Sequence, residues 1–170
     1  DKVNTLMLVH ISLIFSFCST PNPFIIQKLK EVGCGVDCSS DTELMIADKL
    51  GFRNDEIMFS SNETPEGEFA YCNKLGGIIN LDDITMIDFM EKECGIPETV
   101  SCRFNPGGVF EVCNGIMDNP GDAKYGMTRE QIFEAFIPTG KITVPVIFAV
   151  GETTSAVLLC AVKGGVIVKL

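Results

Sequence analysis

Residues 23–62, PFIIQKLKEVGCGVDCSSDTELMIADKLGFRNDEIMFSSN, contain two helix-and-strand pairs in succession. After Asn22, a residue type that caps helices, apolar side chains recur every three or four positions until Gly33 ends the run. The strand CGVDCSS follows, Ser40 or Asp41 caps the next helix, TELMIADKLGF, and EIMFSSN is the next strand. Strands that alternate with helices of this length predict βαβ units and a parallel sheet, so the fold class is α/β.

The alternation continues to residue 136. Thr64 and Pro65 are predicted to open the helix EGEFAYCNKLG, since proline is tolerated in a first helical turn. GIINLDD is a strand, DITMIDFMEKECG a helix and ETVSCRFNPGG another strand, and Thr128 caps the helix REQIFEAF. With an apolar strand segment in residues 1–20, the pattern gives about five βα units.

Polar residues end the predicted strands: Asp37 to Ser40, Ser60 to Asn62, Asp82 and Asp83, and Arg103 to Asn105. The carboxyl ends of parallel strands meet at one edge of a sheet, where α/β folds place their chemistry. The long connection between Asn105 and Met127 has neither helical nor strand periodicity, and its paired Gly107 and Gly108 allow the backbone to approach a ligand closely. A functional loop and an ordinary surface loop both fit this pattern.

The length of 170 residues fits one domain, and the net charge of −10 argues against nucleic-acid binding, which needs a basic patch. Most of the eight cysteines lie in apolar runs, which is typical of free, reduced thiols in a cytoplasmic protein. Cys34 and Cys38 lie too far apart along one strand to form a disulfide. His10 is the single histidine, so no metal site is expected.

Both ends of the chain depart from the alternation. The apolar segment from Thr5 to Cys18 is too short to span a bilayer, which takes about 20 residues, and a buried strand or short helix is favoured over a signal sequence. Residues 137–170 contain three β-branched runs, at 142–150, 155–162 and 165–169. They are compatible with a meander, with strands added to an edge of the sheet, or with strands that have no partner and promote aggregation.

The motifs PNPFIIQKLKEVGCGVDCSSDTEL, IMFSSNETP, GIINLDD, SCRFNPGG and DAKYGM resemble, in order and spacing, the barrel domain of the pyridoxal-phosphate (PLP)-dependent decarboxylases that act on diaminopimelate, ornithine or arginine. The asparagine-proline-glycine step after Arg103 is most similar to the diaminopimelate branch, which serves lysine biosynthesis. The resemblance implies a partial (β/α)₈ TIM-type barrel of the fold type III, alanine-racemase-like group in residues 21–136, between a divergent segment, 1–20, and a β-rich tail, 137–170. It also implies PLP as cofactor and assembly into dimers.

In this family a lysine at the end of the first barrel strand forms a Schiff base with PLP, in a pattern like F-A-V-K-A-x-P-N-P. Aligned on Pro21, Asn22 and Pro23, this chain reads FSFCSTPNP, so Cys18 stands at the lysine position and no catalytic residue is assigned. A thiol cannot form that imine, and Lys2, Lys28 and Lys30 are not placed to replace the lysine. The histidine-bearing strand, glycine-rich phosphate loop and E-P-G-R strand of the family are not found after residue 136.

Four residues match positions near the cofactor in the family. Asp37 and Ser39 lie on the second strand, Arg103 ends the fifth strand, and Asn105 follows it. The alternative for each is a structural role at the strand end, such as capping the next helix. A buried arginine needs an acidic partner, and Asp37 or Asp82 can supply it without a ligand.

These observations favour a fragment or pseudo-enzyme of the decarboxylase family, inactive by itself. The alternative is a non-catalytic partner that binds an intact decarboxylase homologue. A third hypothesis, an active PLP enzyme of altered design, predicts a borohydride-sensitive aldimine.

Overall fold

In the part of the chain that the structure describes, six parallel strands lie side by side in the order in which they occur along the chain, and a seventh pairs antiparallel with the sixth. In this computed structural model, residues 14–97, 99–105, 126–136, 146–150 and 159–160 are described. The strands are β1 (Ile14–Ser16), β2 (Gly35–Cys38), β3 (Ile57–Phe59), β4 (Ile78–Leu81), β5 (Val100–Phe104), β6 (Val146–Val150) and β7 (Leu159–Cys160). The expectation of an α/β fold with a parallel sheet is confirmed.

In these described ranges five α-helices join or follow the strands: α1 (Pro23–Glu31), α2 (Asp41–Lys49), α3 (Glu68–Leu75), α4 (Met86–Cys94) and α5 (Arg129–Phe136). Each of them contributes to one hydrophobic cluster together with side chains of β2 to β5. Parallel neighbours joined by right-handed crossovers place every helix on the same side of the sheet. The described part is therefore a singly wound sheet with its helices on one side, which is the arrangement of a partial (β/α)₈ barrel.

The strand side chains alternate between two chemically different faces of the sheet. The core face packs against the helices and carries buried apolar residues: Val36, Cys38, Ile57, Phe59, Ile79, Leu81, Val100 and Cys102. The opposite face, here called the polar face, carries Ser16, Asp37, Asn80, Ser101 and Arg103 at the alternate positions. Because a strand residue lies on one face or the other, the polar residues of these strands are collected on the side away from the helices.

Three helix starts follow the sequence prediction. The Asn22 side chain accepts a hydrogen bond from the Phe24 N–H at 3.0 Å. Ser40, the first of the two candidates, caps α2 and accepts from the Glu43 N–H at 3.4 Å. Thr128 caps α5. These caps satisfy N–H groups that a helix end leaves without partners.

The start of α3 does not follow the prediction. Thr64 and Pro65 do not open the helix, which begins at Glu68, and the Thr64 hydroxyl has no hydrogen-bond partner among the described residues. Gly67, which precedes the helix, has a φ of 94°, and its N–H donates to the Glu93 carboxylate on α4 at 2.7 Å. A left-handed residue cannot continue a right-handed helix, so the glycine shortens α3 from its N-terminal side.

The tail adds strands to an edge of the sheet, which was one of the three alternatives. β6 pairs in parallel with the whole of β5, from Val100 opposite Val146 to Phe104 opposite Val150. β7 then pairs antiparallel with β6. The third β-branched run, 165–169, lies outside the described residues, as do Lys2, His10 and most of the connection between Asn105 and Met127.

Within the described ranges no helix is both long and apolar enough to cross a bilayer. In the same ranges Cys34, Cys38, Cys72, Cys94 and Cys102 are free thiols. Burial raises the pKa of Cys72 and of Cys102 to about 12. These two thiols are therefore protonated at neutral pH and act as small core side chains.

Candidate functional site

An ion pair lies on the polar face at the carboxyl edge of the sheet. Arg103, on β5, donates from Nη1 to Asp82 Oδ2 at 3.0 Å, and the two side chains are 22% and 4% exposed. The same Nη1 lies 3.4 Å from Asn62 Oδ1, in the segment after β3. Of the two acidic partners considered for Arg103, Asp82 makes the hydrogen bond, so an internal carboxylate holds the guanidinium.

The buried side-chain amide of Asn80 hydrogen-bonds to the acidic member of this ion pair. Asn80 Nδ2 donates to Asp82 Oδ1 at 2.8 Å, and Asn80 Oδ1 accepts from the Ser101 hydroxyl at 2.8 Å. β4 and β5 place Asn80 and Ser101 directly opposite each other. Ser101, Asn80, Asp82 and Arg103 therefore form one connected chain of hydrogen bonds across two strands.

A second carboxyl lies on the same face of the sheet. Asp37, on β2, accepts a hydrogen bond from the Ser60 hydroxyl at 2.6 Å. Burial raises the pKa of Asp37 above its ordinary value of 3.8, while the Ser60 hydrogen bond and the Arg103 charge lower it in part. Burial likewise raises the pKa of Asp82, opposed in part by Arg103 and by the Asn80 amide. Perturbed carboxyls collected at one sheet edge are typical of functional sites.

The other two predicted site residues, Ser39 and Asn105, make backbone and helix-end hydrogen bonds. The Ser39 N–H and hydroxyl both donate to Glu43 Oε2, at 2.6 and 3.0 Å, so Ser39 contacts the first turn of α2. Asn105 donates its backbone N–H to the Met127 carbonyl at 2.9 Å. The structure thus brings Asp37 and Arg103 to one face and gives Ser39 a capping contact, and their roles toward a cofactor stay predictions.

The segment before α5 ties the ends of two strands together. The Met127 N–H donates to the Arg103 carbonyl at 2.8 Å, and the Gly126 N–H donates to the Asp82 carbonyl at 3.1 Å. Residues 126 and 127 therefore bridge β5 and the end of β4 through backbone hydrogen bonds to Arg103 and Asp82. The carbonyl groups of Arg103 and Asp82 are thus held by the same two-residue segment.

Among the described residues the lysines lie on helices, not at this edge: Lys28, Lys30, Lys49, Lys74 and Lys92. Lys30 Nζ donates to the Leu50 carbonyl at 2.9 Å and lies 4.6 Å from the centre of the Phe52 ring. Lys28 is paired with Glu31 at 2.8 Å. The backbone of Cys18 belongs to a 3₁₀ turn, Phe17–Ser19, directly after β1 and thus at the edge where the other strands carry their polar residues.

Sequence reasoning placed Ser60 and Asn62 at the carboxyl edge without assigning them to the site, and it did not consider Asn80 or Ser101. A signal for Asn80 was present, because an amide inside the apolar run GIINL stands two residues before Asp82 and so shares its face. Ser101 has the same relation to Arg103. The register of β4 and β5 connects the pair Asn80 and Asp82 with the pair Ser101 and Arg103. Neither strand's sequence alone encodes that register.

The family model described as "Pyridoxal-dependent decarboxylase, pyridoxal binding domain" matches residues 2–143. The chain belongs to this decarboxylase family. It is 33% identical over 122 residues to Protein TabA of Pseudomonas amygdali pv. tabaci, covering 72% of this chain and 28% of that protein. It is 26% identical over 127 residues to a diaminopimelate decarboxylase of Archaeoglobus fulgidus, covering 73% of this chain and 30% of the relative. The chain therefore spans less than a third of the length of these two curated relatives.

Solved structures of the decarboxylase family have the same fold. The diaminopimelate decarboxylase of Helicobacter pylori, solved with L-lysine, superposes with a TM-score of 0.70 at 24% identity, over 83% of this chain and 38% of that one. A lysine decarboxylase of Selenomonas ruminantium gives a TM-score of 0.66 at 17% identity, over 85% and 37%. At these identities the likeness establishes the fold, a partial TIM-type barrel.

The residues of this chain fit PLP, the cofactor of the family, only in part. PLP needs an amine for its aldehyde, donors for its phosphate and an acid for its ring nitrogen. The carboxyl edge supplies carboxyls and a guanidinium, in Asp37, Asp82 and Arg103, but no amine among the described residues. Among the residues that the structure describes, the covalent part of the expected cofactor site is therefore not matched.

Proposed function

We propose that this chain is a barrel unit of the PLP-dependent decarboxylase type that acts on diaminopimelate, and that by itself it does not decarboxylate amino acids. The names of the A. fulgidus relative and of the H. pylori structure support the substrate class. The observation that carries the proposed inactivity is Cys18, which stands where the family pattern has its lysine.

The chemical reason is that decarboxylation on PLP requires an amine nucleophile to load the cofactor. In the family pattern a lysine amine would hold PLP covalently, and the bound cofactor would supply the electron sink for decarboxylation. A cysteine thiol adds to an aldehyde without forming an imine. The two lysines nearest in sequence, Lys28 and Lys30, are engaged on the helical side of the sheet, with Glu31 and with the Leu50 carbonyl. These contacts support the proposal that neither Lys28 nor Lys30 replaces the family lysine.

The test is incubation of the purified chain with PLP, followed by absorbance spectroscopy, borohydride reduction and mass mapping of any pyridoxyl-lysine. We expect no specific adduct on the unaltered chain. Cys18→Lys is expected to gain an aldimine band and a reduced adduct at position 18. Ser19→Lys, one residue further along the same turn, is the matched control, and we expect it to gain little.

Two results would contradict the proposal. A stoichiometric adduct on a native lysine would mean that another amine serves the site. Turnover of diaminopimelate by the unaltered chain, with release of carbon dioxide, would overturn the assignment of inactivity directly.

The second candidate function is a non-catalytic partner of an intact decarboxylase. It is favoured by apolar side chains exposed on α1 and its C-terminal cap, where Phe24 is 84%, Ile25 46% and Val32 76% exposed. Ile25 and Val32 are seven residues apart and so share one side of the helix. Light scattering of the chain mixed with a full-length diaminopimelate decarboxylase tests this candidate, and two independent species in the mixture would exclude it.

A further inference from the structure

Two polar side chains are buried on the polar face, those of Asn80 and Ser101, each two residues before a member of the ion pair. Asn80 is 1% exposed and Ser101 is fully buried, and the register of β4 and β5 places them opposite each other. Burying an amide and a hydroxyl costs free energy unless both are hydrogen-bonded. An apolar pair would fill this position at lower cost, so the polar pair requires an explanation beyond packing.

The direction of the hydrogen bonds fixes the orientation of the amide. The Ser101 hydroxyl donates to Asn80 Oδ1, which leaves the Asn80 NH₂ group to face Asp82. An ionised carboxylate accepts only, so this is the amide orientation that Asp82 requires. Asp82 then has one oxygen held by Asn80 at 2.8 Å and the other held by Arg103 at 3.0 Å. Rotation of the carboxylate away from the guanidinium would therefore break both hydrogen bonds.

We propose that Asn80 is a positioning residue: supported by Ser101, its amide fixes the Asp82 carboxylate in the orientation that holds the Arg103 guanidinium at the carboxyl edge of the sheet. This inference goes beyond the proposed function, because it concerns the protein without a bound cofactor. A guanidinium held before binding loses less conformational entropy when an anionic group arrives. Buried networks of this kind couple their members strongly, because the local dielectric constant is low.

Removing the amide changes the charge state of the ion pair as well as its geometry. The groups that act on Asp82 are the Arg103 guanidinium on β5 and the Asn80 amide on β4, and the Asp37 carboxylate on β2 interacts with Asp82 in turn. Without the amide donor, one oxygen of Asp82 is left buried without that partner. The pKa of Asp82 therefore rises, and the attraction that holds Arg103 weakens.

The experiment follows the side-chain NMR signals of Arg103 and the titration midpoint of Asp82 in the unaltered chain, in Asn80→Asp, in Asn80→Ala and in Ser101→Ala. At neutral pH we expect Asn80→Asp to lose the slowly exchanging Arg103 guanidinium signals, because two carboxylates then face each other. When the pH falls and one of these two carboxyls holds a proton, it can donate as the amide did, and the Arg103 signals return. Ser101→Ala is expected to shift the same signals in the same direction by a smaller amount.

Two controls separate positioning from packing. Asn73→Asp alters a half-buried amide on α3 that contacts the Cys94 carbonyl, and we expect it to leave the Arg103 signals unchanged. The guanidinium of Arg53, paired with Asp48 on the helical side, reports general loss of structure within each sample. If Asn80→Ala does not fold, Asn80→Asp and Ser101→Ala carry the test.

The proposal is overturned if folded Asn80→Asp keeps the native Arg103 signals at neutral pH, or if their loss is independent of pH. No cofactor is present in these measurements, so their outcome is separate from that of the PLP experiment. An aldimine on the native chain would refute the proposed inactivity and leave the role of Asn80 intact.

Discussion

Met58 and Phe59 are consecutive residues of β3, yet they belong to different environments. Phe59 is fully buried on the core face and makes an edge-to-face contact with Phe69 of α3, with ring centres 6.2 Å apart. Met58 is half-buried and pairs in register with Asp37 on one side and Ile78 on the other, on the face that carries the ion pair. The alternation along a single strand separates the side chains that stabilise the fold from those that form the site.

The two faces also differ in what burial does to them. On the core face burial is favourable, because the buried side chains are apolar and contribute roughly 25 cal/mol per Å². On the polar face burial raises the pKa values of Asp37 and Asp82 and so opposes folding at neutral pH. The buried carboxyls of the polar face therefore lower the stability of the fold, and the buried apolar side chains of the core face offset that loss.

The largest effect is expected where the core face is broken. Phe59→Ala should lower the free energy of unfolding by about 3–5 kcal/mol, because it removes a fully buried ring and leaves a cavity beside Phe69. Met58→Ala, one residue away on the polar face, should cost about 1 kcal/mol. Urea denaturation followed by circular dichroism measures both, and equal losses would contradict the distinction between the faces.

The core face could be predicted from sequence because its signal is local. Apolar residues at alternate strand positions and at three-to-four spacing in the helices identify it, and capping residues such as Asn22 and Ser40 fix where helices begin. The error at α3 came from Thr64 and Pro65, which match a helix-opening pattern. The left-handed conformation of Gly67 and its contact with Glu93, 26 residues away, overrode that pattern.

The site could be predicted only in part, because its contacts join residues distant in sequence. Arg103 was identified with two possible acidic partners, and the pairing with Asp82 depends on the β4–β5 register. Ser39 contacts Glu43 four residues along, a local contact that its position before α2 does encode, and its role near the cofactor stays a prediction. Two of the β-branched runs of the tail form strands, at 146–150 and 159–160. Their apolar composition predicted strands but did not determine which strands they pair with.

A second prediction concerns the charge balance of the polar face, which the substitution Arg103→Met would remove. Arg103→Met keeps much of the aliphatic bulk but leaves Asp82 buried without its cation, and we expect a loss of about 1–3 kcal/mol at neutral pH. The folded-state pKa of Asp82, already above 3.8, rises further, so protonation favours the folded state. The loss should therefore shrink as the pH falls toward 3.8, and Asp82→Asn in the same background should recover part of it.

A third prediction concerns a carboxyl whose burial is unfavourable. Because burial dominates the raised pKa of Asp37, its charged form opposes folding, and this penalty disappears as the pH falls through the folded-state pKa. Asp37→Asn should gain under about 1 kcal/mol at pH 7, since the Ser60 hydroxyl can still donate to the amide oxygen. Asp55→Asn, at an exposed position, is the control and should change stability by less than about 0.5 kcal/mol. Thermal melts at pH 7 and pH 5 measure the difference, and a loss at pH 7 would show that Asp37 is needed as an anion.

The smallest effect separates a cap from a ligand-binding residue. Ser39→Ala removes the hydroxyl contact with Glu43 but keeps the backbone N–H bond to the same oxygen, so it should cost about 0.5 kcal/mol. Ser40→Ala removes the N-cap of α2 and should cost more, about 1 kcal/mol. If Ser39 serves the helix alone, Ser39→Ala in the Cys18→Lys background leaves the yield of reduced pyridoxyl adduct unchanged. A lower yield with the same melting temperature would instead show that Ser39 contributes to the cofactor site, in addition to its contact with the first turn of α2.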